Sequence, residues 1–385
     1  MRKLPIGIQS FESIRKDGFV YVDKTAYVHR LANEGKQYFL SRPRRFGKSL
    51  LVATMRAYFE GRRELFRGLD LERLEGDGPG AWVARPVFHL DFTGADYTRA
   101  GGLEGKLEAI LRRFEVAWGL EGPGLGFGDR FQNLVEAAHA ASGHRVAVLV
   151  DEYDKPMLEV MEDEGLLGRN RATLKGFYSV LKGVDDHLRF VFLTGVTKFS
   201  KVSIFSDLNQ LRDVSLSADY AGICGMTETE LTGALGSELD ALAVQLGLGR
   251  KECLCALRSQ YDGYCFHPDG PGRGDSRAAS GRMVYNPYSL LSALQERRLS
   301  SFWFATGTPT FLVRRMRVSG FDPRRLADGS VWATESRLSD YRADDPDPVP
   351  LLFQSGYLTI RGRETVTGEY ELGVPNGEVE WGLVE

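Results

Sequence analysis

Apolar positions along this chain follow two rhythms. Short unbroken apolar runs alternate with longer stretches in which apolar residues recur every three to four positions. That alternation predicts a parallel sheet covered by helices. Lys36–Ser41 (KQYFLS) reads as a strand, and KSLLVATMRAYFEG after it as a helix ending at Gly61. Pro86–Phe92 (PVFHLDF) is a second strand, followed by helical stretches around Leu103–Trp118 and Phe131–Ala141. Arg145–Asp154 (RVAVLVDEYD) is a third strand, with the apolar run of a central parallel strand. Leu188–Ser200 is a fourth, and Arg212–Ser217 a candidate fifth.

From about Gly225 the texture changes. TETELTGALGSELDALAVQLG reads as helix, with Thr227 as N-cap and Glu230 completing a capping box. NPYSLLSALQERR, Asn286–Arg298, reads as another. Between them HPDGPGRGDSRAASGR is a surface loop by composition, and its Arg-Gly-Asp triplet is read as chance. ADDPDPVP, Ala343–Pro350, is an acidic, proline-rich joint, after which YLTI and EYELGVP predict a small hairpin. The expected units are an α/β domain over 1–222, a helical region over 223–345 and a hairpin or connector over 346–385.

Bulk composition narrows the class only a little. With 43% hydrophobic and 26% charged residues in 385, the chain has the make-up of a soluble globular protein. A net charge of −3 gives no global attraction to nucleic acid, so any such contact falls to local basic clusters. Arg314, Arg315 and Arg317 form one such cluster on an expected helix. Cys224, Cys253, Cys255 and Cys265 contain no C-x-x-C pair, and the histidines show no metal-ligand spacing. No apolar run has signal-peptide or membrane-spanning length, so reduced thiols and a cytoplasmic location are expected.

The chemistry begins at FLSRPRRFGKSLLVATM, Phe39–Met55. It ends as a phosphate-binding loop does, with Gly47-Lys48-Ser49 between a strand and a helix, but Arg42 stands where the first glycine of G-x-x-x-x-G-K-[ST] belongs. Such loops work by curling backbone N–H groups around phosphates at a helix N-terminus, with the lysine on the phosphates and the hydroxyl on Mg²⁺. Arg44, Arg45, Phe46, Gly47, Lys48, Ser49 and Leu50 are the candidate nucleotide-binding residues. The basic run Arg42–Arg45 is suited to phosphate or to an interface.

A second signal is VAVLVDEYD, an apolar strand running directly into Asp151 and Glu152. Charge at the end of a buried strand calls for a metal or a cation. In P-loop ATPases with an added catalytic glutamate, the aspartate orients Mg²⁺ and the glutamate activates water. Ser49 and Asp151 are thus the candidate metal ligands, and Glu152 the candidate general base assisted by Lys48. Thr194, at the tip of the fourth strand with Thr197 and Lys198 behind it, either senses the terminal phosphate or caps the following turn. Arg212 is equally consistent with an arginine finger and with a surface arginine.

These residues carry a resemblance. The stretch from LPIGIQSFESIRKDGFVYVDKTAYVHRL to RPRRFGKSLLV resembles the amino terminus of the bacterial AAA-ATPase-like family, in which such a module is commonly fused to a PD-(D/E)xK nuclease-like domain. VLVDEYDKPM, FLTGVTKFSKVSIFSDLNQL, YDGYCF, VYNPYSLLSAL and LLFQSGYLTI match in the same order, over nearly the whole chain. The resemblance makes the arginine the family's own form of the loop. It implies a P-loop NTPase of the additional-catalytic-glutamate type, related to ORC and signal-transduction ATPases. The implied sheet order is 5-1-4-3-2, followed by a helical region for which a winged helix is one form. It also implies ATP and Mg²⁺ as cofactors, and places Asp23 and Lys24 near the base or ribose.

In the family, PN-x-EV leads into the nuclease-like domain. Here Pro375–Val379 is followed by a few residues, and no second-strand E-x-K accompanies an acidic residue. The expectation is the ATPase portion without the nuclease-like domain, acting as a slow Mg²⁺-dependent nucleotide switch. The alternative is a nucleotide-gated module that docks DNA or a protein partner without turnover.

Overall fold

The computed structural model describes residues 2–120, 124–199, 210–268, 283–303, 312, 316, 319–321, 331–339, 341 and 347–384. The Arg-Gly-Asp triplet, the Arg314, Arg315 and Arg317 cluster and most of the KVSIFSDLNQL segment lie outside them.

Four apolar segments and a two-residue edge strand form one parallel sheet: β1 (Gln37–Ser41), β2 (Val87–Asp91), β3 (Val146–Asp151), β4 (Leu188–Gly195) and β5, which keeps only Arg212–Asp213 of the expected Arg212–Ser217. Their order is β2-β3-β4-β1-β5, the order 5-1-4-3-2 read from the other edge. Every residue of β1 and β3 is buried, which is why those runs are apolar without alternation. The register sets Ser41 beside Gly195, Leu40 beside Thr194, and Asp91 beside Asp151. The ends of β1, β3 and β4 therefore arrive together at one edge, where ligands of open α/β sheets bind.

The helix after β1 runs Lys48–Phe59, and helices Gly102–Trp118 and Phe127–Ser142 stand where the periodicity put them. The 20-residue helix Glu164–Gly183 was not foreseen. Four glycines lower its intrinsic propensity, and tertiary packing overrides that. Phe177 stacks on Phe131 at 4.9 Å. A Cβ at Gly128 would lie 3.1 Å from the Gly176 carbonyl, so the glycines permit a close helix crossing.

The stretch after Gly225 forms two helices, Glu228–Ala234 and Gly236–Leu246, rather than one; the Thr227–Glu230 capping box is present. With Arg250–Tyr261 and Pro287–Glu296 they enclose a second core that includes Leu231, Leu242, Leu257 and Leu290, and to which Leu4 is added from the amino terminus. The expected hairpin is β7 (Thr359–Arg363) with β8 (Tyr370–Gly373), and β6 (Val331–Ala333) adds a third antiparallel strand in the order β6-β8-β7. Leu351, Phe353 and Leu372 from this part join the core under the parallel sheet.

The PNGEV residues act as a staple. The Asn376 amide donates to the Asp262 carbonyl at 2.7 Å, and the fully buried Glu378 carboxylate accepts from Ser289 Oγ and Trp303 N, both at 2.7 Å. Among the described residues no helix is long and apolar enough to cross a membrane. All four cysteines are free thiols.

Candidate functional site

A cleft of about 1000 Å³ opens where the sheet edge meets the helical region. One wall is the loop and first turn Arg44–Leu51; Val22, Lys24, Met226, Tyr288 and Leu291 line the other sides, and Glu152 stands at the floor with Lys155.

The loop is built from Gly47, which takes φ +91 as N-cap of the Lys48–Phe59 helix, a conformation that suits glycine. No acidic residue occupies that helix's first turn, so its N–H groups and dipole are left to attract an anion. Lys48 is 4% exposed, and its ammonium donates to the carbonyls of Arg42 and Pro43 at 3.0 and 3.1 Å. The ammonium thus rests inside its own loop.

Arg42 explains the missing glycine. It is 1% exposed, and its guanidinium donates to the carbonyls of Ser41, Ser215 and Tyr220 at 2.9, 2.7 and 3.1 Å. Its face lies 3.9 Å from the centre of the Phe266 ring, and burial pushes its pKa down to about 10. The side chain is thus part of the scaffold beneath the loop, and only Arg44 and Arg45 of the basic run are exposed. Arg45 has φ +67 and lies over the Tyr288 ring at 4.8 Å. Phe46 is buried edge-on against Tyr264 at 4.8 Å and Phe266 at 5.7 Å, while its carbonyl accepts from Gly225 N. Its side chain anchors the loop, and the residue also lines the cleft. Leu50 is half-buried on the cleft wall.

Asp151 ends β3 buried at 4% exposure, and its Oδ1 accepts from Glu152 N at 3.0 Å. Burial and the neighbouring Glu152 charge push its carboxyl up to about 6, against the opposing pull of Ser49 and Lys48. A hydroxyl and a carboxylate of this kind are hard oxygen donors of the type Mg²⁺ takes when phosphates and water complete its shell. Among the described residues no group of three or more His, Cys, Asp or Glu could hold a metal alone, so these residues fit an ion shared with a nucleotide.

Thr194 is fully buried and its hydroxyl donates to the Leu40 carbonyl of β1 at 2.7 Å, tying the two strands together. Holding the turn after β4 falls to Asp154 and Thr197, which the sequence reading did not single out together. Asp23 accepts from Thr25 N, Thr25 Oγ1 and Asp70 N at 2.8, 2.6 and 2.7 Å. It is not among the described residues that line the cleft, whereas its neighbours Val22 and Lys24 are. Lys24 donates to the Gly222 carbonyl at 2.8 Å and pairs with Glu230 at 2.6 Å. Arg212 is exposed on the edge strand, 5.8 Å from the Tyr220 ring.

The family model described as "AAA-ATPase_like: Predicted AAA-ATPase" matches residues 5–205, more than half of the chain and all of the loop, β3 and β4. The chain belongs to this family. The uncharacterized protein in the vnfD 5′ region of Azotobacter chroococcum mcd 1 is 41% identical over 390 residues, covering all of this chain and 69% of that protein. A weak likeness, TM-score 0.34 at 10% identity over 94% of this chain and 93% of the other, is to the Aeropyrum pernix ORC2 protein solved as ADPNP–ADP complexes. The fold assignment rests on the strand order and the family match.

Proposed function

We propose that this AAA-ATPase-like chain binds ATP with Mg²⁺ in the cleft and hydrolyses it slowly, as a nucleotide switch. The observation that carries the reading is that Gly47, Lys48 and Ser49 of the loop line the same cleft as Glu152 at the end of β3. A phosphate loop and the acidic strand end that would serve it thus face one space, with Asp151 buried one residue before Glu152. In this reading the N–H groups from Arg44 to Leu50 cradle the phosphates and Lys48 turns from its own loop carbonyls to the phosphate charge. Mg²⁺ would be held by Ser49 and Asp151, where it would neutralise charge developing on the phosphates. Glu152 accepts the proton of the attacking water.

A second reading keeps the binding and drops the turnover: a nucleotide-gated module for DNA or a protein partner. It is favoured by the way Phe46 and Arg45 tie the loop to Tyr264, Phe266 and Tyr288 of the following region. A ligand that moved the loop would pull on those rings. Titration with ATP and ADP, with and without Mg²⁺, followed by turnover in the parent and in Glu152→Gln, separates the two. Absence of any nucleotide binding would remove both.

A further inference from the structure

We propose that Asp154 is a positioning residue for Glu152: it clamps the chain leaving β3 to the exit of β4, and so holds the Glu152 carboxylate at the floor of the cleft. The inference rests on the reading of Glu152 as general base and goes beyond it by naming what keeps that base in place.

Glu152 has φ +55, the left-handed region, in a residue with a Cβ. Such a backbone is held against a cost of order 1–2 kcal/mol and persists only where neighbours over-determine it. The neighbours are visible. Before it, Asp151 Oδ1 accepts from Glu152 N at 3.0 Å; after it, the Glu152 carbonyl accepts from Lys155 N at 3.1 Å. Tyr153 N donates to the Thr194 carbonyl at 3.2 Å, and the Tyr153 hydroxyl donates to the Thr197 carbonyl at 2.9 Å.

The strongest tie is Asp154. Its Oδ2 accepts from Val196 N at 3.0 Å, Thr197 N at 2.7 Å and Thr197 Oγ1 at 2.9 Å. Its main-chain carbonyl accepts from Met157 N and Leu158 N, starting the turn Lys155–Leu158. One residue thus joins three things: the kink that carries Glu152, the turn after β4, and the short helix that follows.

The other oxygen, Oδ1, has no hydrogen-bond partner although the residue is fully buried. Room for it exists because residue 195 is glycine; a Cβ there would lie 2.3 Å from Oδ1. A buried carboxylate with a bare oxygen is costly to keep. It stands two residues from Glu152, between the strand end of β3 and the helix Lys155–Leu158. A clamp of this kind acts through geometry, so an amide that offers one oxygen to the same three donors should replace it.

The test uses the full chain with Asp154→Ala, Asp154→Asn and Thr197→Val. Active sites are counted by nucleotide binding, and single-turnover hydrolysis is measured per binding-competent site. Asp154→Ala should lose about 10–100-fold in turnover, the usual effect of removing an orienting partner, with ATP affinity unchanged. Asp154→Asn should recover most of the rate. Thr197→Val, which removes one donor of three and leaves the carboxylate, should fall between them and covers the case in which Asp154→Ala does not fold.

The proposal is overturned if turnover per competent site is unchanged in Thr197→Val and Asp154→Ala, since the residue would then be structural only. It is overturned as well if Asp154→Asn is as slow as Asp154→Ala, because charge and not geometry would matter. A parent that binds ATP without turning it over overturns this inference and the base role while leaving the nucleotide site. A parent that binds no nucleotide overturns the underlying reading itself.

Discussion

The Arg42 guanidinium lies over the ring of Phe266, 3.9 Å from the ring centre, 224 residues further along the chain. The residue that breaks the usual glycine pattern of the phosphate loop is therefore a strut between that loop and the YDGYCF segment. Restoring the pattern should harm the protein. Arg42→Gly removes hydrogen bonds to the carbonyls of Ser41, Ser215 and Tyr220 and leaves a void under the loop. A loss of about 3 kcal/mol or more is expected from those terms together. Urea denaturation measures it, and a variant as stable as the parent would mean that Arg42 carries no weight. Arg42→Lys should not rescue, because an ammonium cannot reproduce the planar fork or the stacking.

Lys48→Ala should abolish ATP binding, since the loop would face the phosphates without its cation. It should also lower stability, by about 1–3 kcal/mol, because the buried ammonium now satisfies the carbonyls of Arg42 and Pro43. Calorimetric titration and a thermal melt read the two effects separately. Undiminished ATP affinity in a folded Lys48→Ala chain would remove the phosphate-loop assignment.

Those two residues show what was legible in the sequence. The strands and most helices that carry the site could be read because burial on both faces leaves an unbroken apolar run, and burial on one face leaves a helical period. Gly47, Lys48, Ser49, Asp151 and Glu152 stood out as candidates because a glycine–lysine–serine helix start and an acidic strand end are patterns of residue type at fixed places in the chain. The task of Arg42 could not be read, since its partners Ser215, Tyr220 and Phe266 are distant in sequence and offer backbone carbonyls and a ring face, which leave no pattern. Asp154 escaped for a related reason. In DEYD it looks like one more surface acid, and only the return of β4 beside β3 reveals the three donors waiting for it.

Glu152→Gln should keep ATP and Mg²⁺ binding while losing about 10²–10⁴-fold in turnover, because an amide cannot take the proton from water. Phosphate release under saturating ATP is the measurement. A variant that turns over at the parent rate would exclude Glu152 as the base.

Three buried carboxyls, Asp151, Asp154 and Asp262, are pushed up to about 6 chiefly by burial. Their folded values lie above those of the unfolded chain, so the native state holds more protons in the window between about 4 and 6. The penalty for burying them charged is present above about pH 6 and is relieved as pH falls through that value. The ligand-free chain should therefore gain stability between about pH 7 and 5. His89 works the other way: burial lowers its pKa, so its contribution is lost as pH falls through the folded value. With three groups against one, the net gain should survive. Mg²⁺ with ATP should reverse the trend, since Asp151 must then stay ionised. Urea midpoints across this range, with and without ligand, check the sign, and a ligand-free midpoint that drops steadily as the pH is lowered from 7 to 5 would contradict it.

The last expectation concerns nucleic acid. Metal-dependent cleavage needs several carboxylates converging on one or two ions and a group to steady the charge that develops on phosphorus. The acidic pair at the end of β3 is assigned to the nucleotide. Glu369 and Glu371 share one side of the chain at β8, but no lysine follows at the E-x-K spacing. Residues 1–385 should therefore cut neither DNA nor RNA, with or without ATP. Any contact should be weak, salt-sensitive and indifferent to sequence, since it would rest on charge alone. The assay is linear, nicked and single-stranded DNA in Mg²⁺ or Mn²⁺ with ATP. Cleavage that persists in Asp151→Asn but disappears with EDTA would require a second metal site, built from residues other than those that line the cleft.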